Sequence, residues 1–363
     1  MKHSIFFLSL LSLCFSQITA ATRTVAPSEA TFIGRVAVAP DGSVLYDWVG
    51  TQMQCTFTGS SIAVEASARG VTFHNVFIDG EWVAKIKISG SEPRTYVLAT
   101  KLKGGSHTLR LQKCTEGQDG SITLHRILLD ARGTLSKLPI RERLIETYGD
   151  SYTCGYGADA TKATEPYSTE TENCDHAYTP IIARYFGADY VLCAHSGQGI
   201  CRWWASPRQM EDVNMLVRHN RVLDESDSLT YDFRSYTPSL VMINLGTNDF
   251  SPTAIPEVSQ YVGNYSRLIT SLREHYGAEL PILCIEPHSS VAYLHTALEA
   301  LRQTQAADSN VHFAHPMNGI VTEARDMGAD WHPNYQGQRK IASTLIPQIS
   351  AIMGWDLEDK VIR

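Results

Sequence analysis

Four short stretches of the chain carry residue types able to do nucleophilic chemistry. They are Gly149-Asp150-Ser151, Ser196-Gly197-Gln198-Gly199, Gly246-Thr247-Asn248-Asp249 and Asp330-Trp331-His332-Pro333. The first follows the strand-like start Ile145-Glu146-Thr147-Tyr148, so Ser151 falls where a strand hands over to a loop and helix. Glycine permits a tight turn there, and a serine so placed can present both its hydroxyl and its own amide. Taken alone, Gly-Asp-Ser is ordinary turn chemistry. A serine hydroxyl is a poor nucleophile until a positioned base takes its proton. His332 is the candidate base among thirteen histidines, with His288 and His315 as runners-up near strand ends. Asp330 precedes His332 by two residues, and a carboxylate so near an imidazole favours its charged form.

The elements that must position these residues are legible around them. The apolar runs Tyr190-Val191-Leu192-Cys193, Leu240-Val241-Met242-Ile243 and Ile282-Leu283-Cys284-Ile285 alternate with helix-like spacing. Ala177, Ile181, Ile182 and Tyr185 predict a helix closed by Gly187. Val258, Tyr261, Val262, Tyr265, Leu268, Ile269 and Leu272 predict a longer one closed by Gly277. Ile341, Leu345, Ile346, Ile349 and Ile352 predict the last. Continuous apolar strands between helices imply a parallel sheet covered on both faces. Ligands of such sheets gather beyond the carboxyl ends of the strands. Ser151, Gly197 and Asn248 all fall just after a strand.

Upstream the pattern differs. Ser61-Ile62-Ala63-Val64-Glu65-Ala66 alternates with period two, and Asp79-Gly80 between Val76-Phe77-Ile78 and Trp82-Val83-Ala84 is a strong hairpin signal. Short strands with regular turns predict a β-sandwich of jelly-roll type. The domain reading is a β-sandwich over 21–133, a link over 134–142 and an α/β domain over 143–363.

A net charge of −7 with 43% hydrophobic and 19% charged residues suits a globular chain. No basic stripe argues for nucleic acid. Residues 1–20 have a secretory layout: Lys2 and His3, an apolar run from Ile5 to Phe15, then small residues around Ala20-Ala21. That run is too short to span a bilayer, which takes about 20 residues, so the expectation is a secreted or periplasmic protein. Cys14 opens a lipoprotein alternative, disfavoured by the bulky Leu13 before it. Cys55, Cys114, Cys154, Cys174, Cys193, Cys201 and Cys284 follow at irregular spacing. Cys154 with Cys174, or Cys193 with Cys201, are the pairs open to bridging, though sequence cannot decide connectivity. No Cys-x-x-Cys pair suggests zinc, and neither a metal nor a cofactor is expected.

Taken in order, the four stretches resemble the serine, glycine, asparagine and histidine blocks of the SGNH (or GDSL) hydrolase superfamily. The resemblance covers about the last 220 residues, from Ser136 onward. It implies a flavodoxin-like α/β/α domain, Ser151 as nucleophile and His332 as base. It also implies an oxyanion hole from the backbone amides of Ser151 and Gly197 and the side-chain amide of Asn248. A sandwich followed by such a domain is similar to carbohydrate esterase family two, as are the run from Gly149 to Gly157 and Thr171-Glu172-Asn173. That family removes acetyl groups from plant polysaccharides such as xylan and glucomannan, often at the sugar 6-position. An acetylated polysaccharide is therefore the expected partner; a lipid esterase or thioesterase, or an inactive carbohydrate-binding protein, is the alternative. The superfamily's usual acid stands three residues before the histidine, where this chain has Ala329. Either Asp330 reaches round to orient His332, the favoured expectation, or a backbone carbonyl does so. Trp331 and Trp203 are the expected sugar platforms, with Trp204 and Tyr152 beside them; core packing is the alternative for Trp203 and Trp204.

Overall fold

A computed structural model of the chain describes residues 22–322 and 324–363. The segment read as a signal peptide lies outside the described residues. Among them, no helix is long and apolar enough to cross a membrane.

The N-terminal domain is one curled antiparallel sheet of eleven strands. Its curl comes from the long strand Ile62–Ile78, whose first half pairs with Gly120–Asp130 and Arg94–Ala99. Its second half pairs instead with Glu81–Ser89 and Ser106–Lys113. Alternation along these strands sends Val64, Val76, Leu109, Leu111, Ile122 and Leu124 into one core. The hairpin expected at Asp79-Gly80 is present, with φ of 54° and 85° at its two central residues. Strand Leu135–Lys137 pairs with Cys55–Phe57, so the start of the segment read as a link is part of this sheet.

The second domain is built on five parallel strands. Across the sheet they run Asp189–Ala194, Leu144–Gly149, Leu240–Asn244, Ile282–Cys284, Val311–Phe313. That is the 2-1-3-4-5 order of flavodoxin-like folds, with its switch point beside the first strand. Alternate residues of each apolar run face opposite layers. Leu192 and Met242 pack on helices Tyr178–Phe186 and Tyr335–Met353. Val241 and Ile243 pack on helices Val258–Tyr276 and Ala292–Thr304. Glycines close two helices as expected, Gly187 after Phe186 and Gly277 after Tyr276.

The domains meet through a buried polar seam. Arg35 of the first is fully buried against Glu146 of the central strand at 3.2 Å, and its guanidinium lies 4.1 Å from the Tyr231 ring. Asn75 bonds Asn173 at 2.9 Å, and Gln112 bonds Asp175 at 3.1 Å. All seven described cysteines are free and buried. Neither of the two pairs left open is bridged, and the thiols face other partners. Cys174 donates to Lys113 O at 3.2 Å, and Cys201 meets the Asn264 amide.

Candidate active site

Strand Leu144–Gly149 ends in the glycine of Gly-Asp-Ser, and a four-residue helix, Ser151–Cys154, starts at once. Asp150 caps it, its Oδ1 accepting the Tyr152 N–H at 3.1 Å. Ser151 thus sits on the first turn, its hydroxyl at the carboxyl edge of the sheet. The Ser151 hydroxyl lies 2.9 Å from His332 Nε2. The other ring nitrogen, Nδ1, lies 3.0 Å from the main-chain carbonyl of Asp330. A carbonyl only accepts, so Nδ1 carries the proton and Nε2 is left with its lone pair toward the serine. A hydroxyl beside a free imidazole nitrogen is the arrangement that acyl transfer requires.

The expectation that the Asp330 carboxylate orients His332 is corrected by this geometry. Asp330 and Trp331 both adopt left-handed backbone, φ 47° and 60°, which turns the Asp330 carbonyl toward the ring and its carboxylate away. Oδ2 accepts the Tyr156 hydroxyl at 3.0 Å and the Tyr167 N–H at 3.1 Å. The same loop clasps the turn's main chain, through Asp330 N–H to Glu165 O at 2.9 Å and Trp331 N–H to Ala163 O at 3.0 Å. Non-glycine residues in this region cost energy and persist only when the surroundings over-determine them; these four bonds do so. Tyr156 and Tyr152 flank the imidazole, with ring centroids 4.3 Å and 5.5 Å away. Tyr167 stacks on Tyr156 at 4.1 Å.

Burial lowers the His332 pKa below the ordinary imidazole value, opposed by the Asp330 carbonyl and by the charge of its carboxylate. The neutral, proton-accepting ring therefore persists to lower pH. In kcat/KM the acid limb should fall below about pH 6.5. Asp330→Asn removes the charge that raises the ring's pKa, so that limb should move to still lower pH, with kcat within about tenfold of wild type. A loss approaching the 10⁴-fold of a triad aspartate, with the limb unmoved, would overturn the carbonyl assignment.

Gly197 follows strand Asp189–Ala194 with φ 78°, a backbone that L side chains rarely adopt. Its carbonyl accepts the Trp204 N–H at 2.6 Å, and among the described residues its own N–H meets no protein acceptor. Asn248 follows strand Leu240–Asn244; its side-chain nitrogen lies 3.2 Å from Asp150 Oδ2 and 3.0 Å from Gln198 O. Burial pushes the Asp150 carboxyl up to about 7. Asp249 braces the neighbouring loop by accepting the N–H groups of Ile200, Cys201 and Arg202 at 3.0, 2.7 and 3.2 Å.

Ser151, Gly197, Asn248 and His332 line one open depression of about 660 Å³, large enough for a sugar-sized ligand. Trp203, Trp204 and Trp331 line it too and are 55%, 58% and 63% exposed, so core packing does not account for any of the three. Tyr152 is buried, its hydroxyl 2.8 Å from Ser289 Oγ. Of the runner-up histidines, His288 is buried against Tyr152 at 4.8 Å, with its pKa pushed down to about 4. His315 lies elsewhere, its N–H on Gln348. The sequence reading missed Tyr167, which stacks on Tyr156 and donates its N–H to Asp330, and Gln118, which lines the same depression. Tyr156 stood inside the Gly149–Gly157 run, where it could have been found.

Comparison with known proteins agrees with this layout. Residues 32–139 match the carbohydrate esterase 2 N-terminal family model. The chain is 28% identical over 319 residues to the cellulase/esterase CelE of Acetivibrio thermocellus, covering 85% of this chain but only 38% of that protein. It is 27% identical over 349 residues to an acetylxylan esterase / glucomannan deacetylase of Cellvibrio japonicus, covering 93% of both. A family two carbohydrate esterase structure from Cellvibrio japonicus superposes with TM-score 0.83 at 26% identity, over 92% of this chain and 99% of that one. Another from Clostridium thermocellum, in complex with cellohexaose, gives 0.80 at 26% identity, over 90% and 100%. The match to the GDSL-like lipase/acylhydrolase model runs from residue 147 to 340, across all four stretches and most of the parallel sheet that carries them, and the chain belongs to that family.

Proposed function

We propose that the protein is an exported serine acetyl esterase that removes O-acetyl groups from plant polysaccharides of the xylan and glucomannan type, the sugar 6-position among its targets. The observation that carries this reading is the Ser151–His332 pair, bonded at 2.9 Å and opening into a depression walled by exposed tryptophans. Sugar rings stack on indole faces through their apolar C–H faces. Ser151 attacks the acetyl carbonyl while His332 Nε2 takes the hydroxyl proton. The oxyanion that develops is met by donors fixed in advance, the amides of Ser151 and Gly197 and the Asn248 side chain. His332 returns the proton to the departing sugar oxygen, leaving an acetyl-enzyme. Water, deprotonated by the same nitrogen, then releases acetate. No step needs a metal or a cofactor. The substrate class draws support from the acetylxylan esterase / glucomannan deacetylase relatives, and export from the charged and apolar run at residues 2–15.

Acetate release from acetylated glucomannan and xylan, set against hydrolysis of a long-chain 4-nitrophenyl ester, tests the reading. Faster turnover of the acetylated glycans is expected. Preference for the long-chain ester points to a lipid esterase, and binding of glycan without acetate release to an inactive binding protein; either outcome overturns the proposal.

A further inference from the structure

Ser196 precedes Gly197, and its partner comes from the other domain. Glu116 lies in the N-terminal domain, in the turn between strands Ser106–Lys113 and Gly120–Asp130. Its Oε2 accepts the Ser196 N–H at 2.5 Å, and its Oε1 accepts the Ser196 hydroxyl. Glu116 is fully buried. The turn that carries it is itself held on three sides. The buried Lys113 ammonium donates to Thr115 O at 2.5 Å and Glu116 O at 2.8 Å. Gly117 packs so close to Asp224 that an added Cβ would stand 2.8 Å from its side chain. Asp119 Oδ2 accepts the hydroxyl of Tyr167 at 2.9 Å, the ring that stacks on Tyr156.

We propose that Glu116 is a positioning residue for the Gly197 amide, so that the N-terminal domain supplies the brace of the oxyanion-binding loop. The inference rests on Ser151 acting as nucleophile. The Gly197 N–H belongs to the peptide plane that begins at Ser196. Bonds to a carboxylate are short and about twice as strong as neutral ones, and two of them from one carboxylate hold both the main chain and the side chain of Ser196. Trp204 N–H on Gly197 O fixes the far side of the same glycine. The amide thus keeps its direction before any charge develops, which is the condition for a donor to favour a transition state at no cost in reorganisation.

The test uses the full chain and 4-nitrophenyl acetate, with Tm recorded for every variant. Glu116→Ala should lower kcat about 10- to 100-fold with KM within about threefold. Ser196→Ala loses one of the two bonds and should fall less, and the double variant should be little worse than Glu116→Ala, since the two changes remove one interaction. Glu116→Gln, which keeps one acceptor oxygen, should lie between wild type and Glu116→Ala. A folded Glu116→Ala with kcat within about threefold of wild type, a loss confined to KM, or losses that simply multiply overturn the inference on the same reasoning. If Glu116→Ala does not fold, Glu116→Gln and Ser196→Ala decide: both at wild-type kcat overturn it. Ser151→Ala run in parallel separates the two readings. An active Ser151→Ala removes the nucleophile assignment, whereas an inactive one beside a full-speed Glu116→Ala removes only the brace.

Discussion

Ser151→Ala should lower kcat on an acetyl ester by about 10⁴ or more while Tm stays near wild type. The Ser151 hydroxyl meets His332 at 2.9 Å, and its removal leaves the main-chain amide in place for the oxyanion. His332→Ala should cost about as much, because a serine without its base and a base without its serine fail at the same step. The informative variant is the double one. Residues acting as a unit are grossly non-additive, as in a protease triad where one removal costs about as much as several. Ser151→Ala/His332→Ala should therefore be no slower than Ser151→Ala alone. Retention of a tenth of wild-type turnover by either single variant sinks the pair.

How much of this was legible beforehand follows from where each contact lives in the chain. Ser151, Gly197 and Asn248 stand directly behind apolar strands, and a parallel sheet with crossovers can only bring such positions to one edge. The helix Ala292–Thr304 was overlooked, although its buried residues Leu294, Ala297, Leu298 and Leu301 have helical spacing. Strand Val311–Phe313 was not, because three residues at a sheet edge carry no period. Asp330 illustrates a different limit. Its distance from His332 along the chain is fixed, but whether carboxylate or carbonyl faces the ring depends on a φ of 47°, and Asp-Trp carries no glycine to announce one.

The contacts between domains were out of reach for a further reason. Glu116 and Ser196, or Arg35 and Glu146, are joined by no periodicity or motif, and charged residues read from sequence default to the solvated surface. Their contacts arise only where the surfaces of the two domains meet. The cysteine pairs left open were undecided for a similar reason. Cysteine spacing carries no direction for a side chain, and in the fold Cys174 and Cys201 point at a main-chain carbonyl and an amide.

Asn248→Ala should lose about 10² to 10³ in kcat with KM nearly unchanged, the cost of one oxyanion donor in a comparable site. The geometry sharpens that expectation. The amide has two hydrogens, and the resting site already gives it two acceptors, Asp150 Oδ2 at 3.2 Å and Gln198 O at 3.0 Å. An oxyanion in the depression is a third claimant, so one resting bond must be shared as charge develops. The bond to Asp150 is the longer and the one that proton uptake weakens, since burial places that carboxyl at about 7. A group that trades a resting bond for one made only in the transition state affects kcat and leaves substrate binding alone. Asn248→Asp supplies the control: it keeps the shape, removes both donors and sets a second carboxylate beside Asp150, so it should be at least as slow as Asn248→Ala. Asp150→Asn removes the competing charge but keeps an acceptor, and should stay much closer to wild type. The measurement is kcat and KM for all three on 4-nitrophenyl acetate. A change in KM alone moves Asn248 from catalysis to binding. A kcat within about threefold of wild type leaves the oxyanion to the Ser151 and Gly197 amides, whose two main-chain donors would then carry the whole of the expected stabilisation.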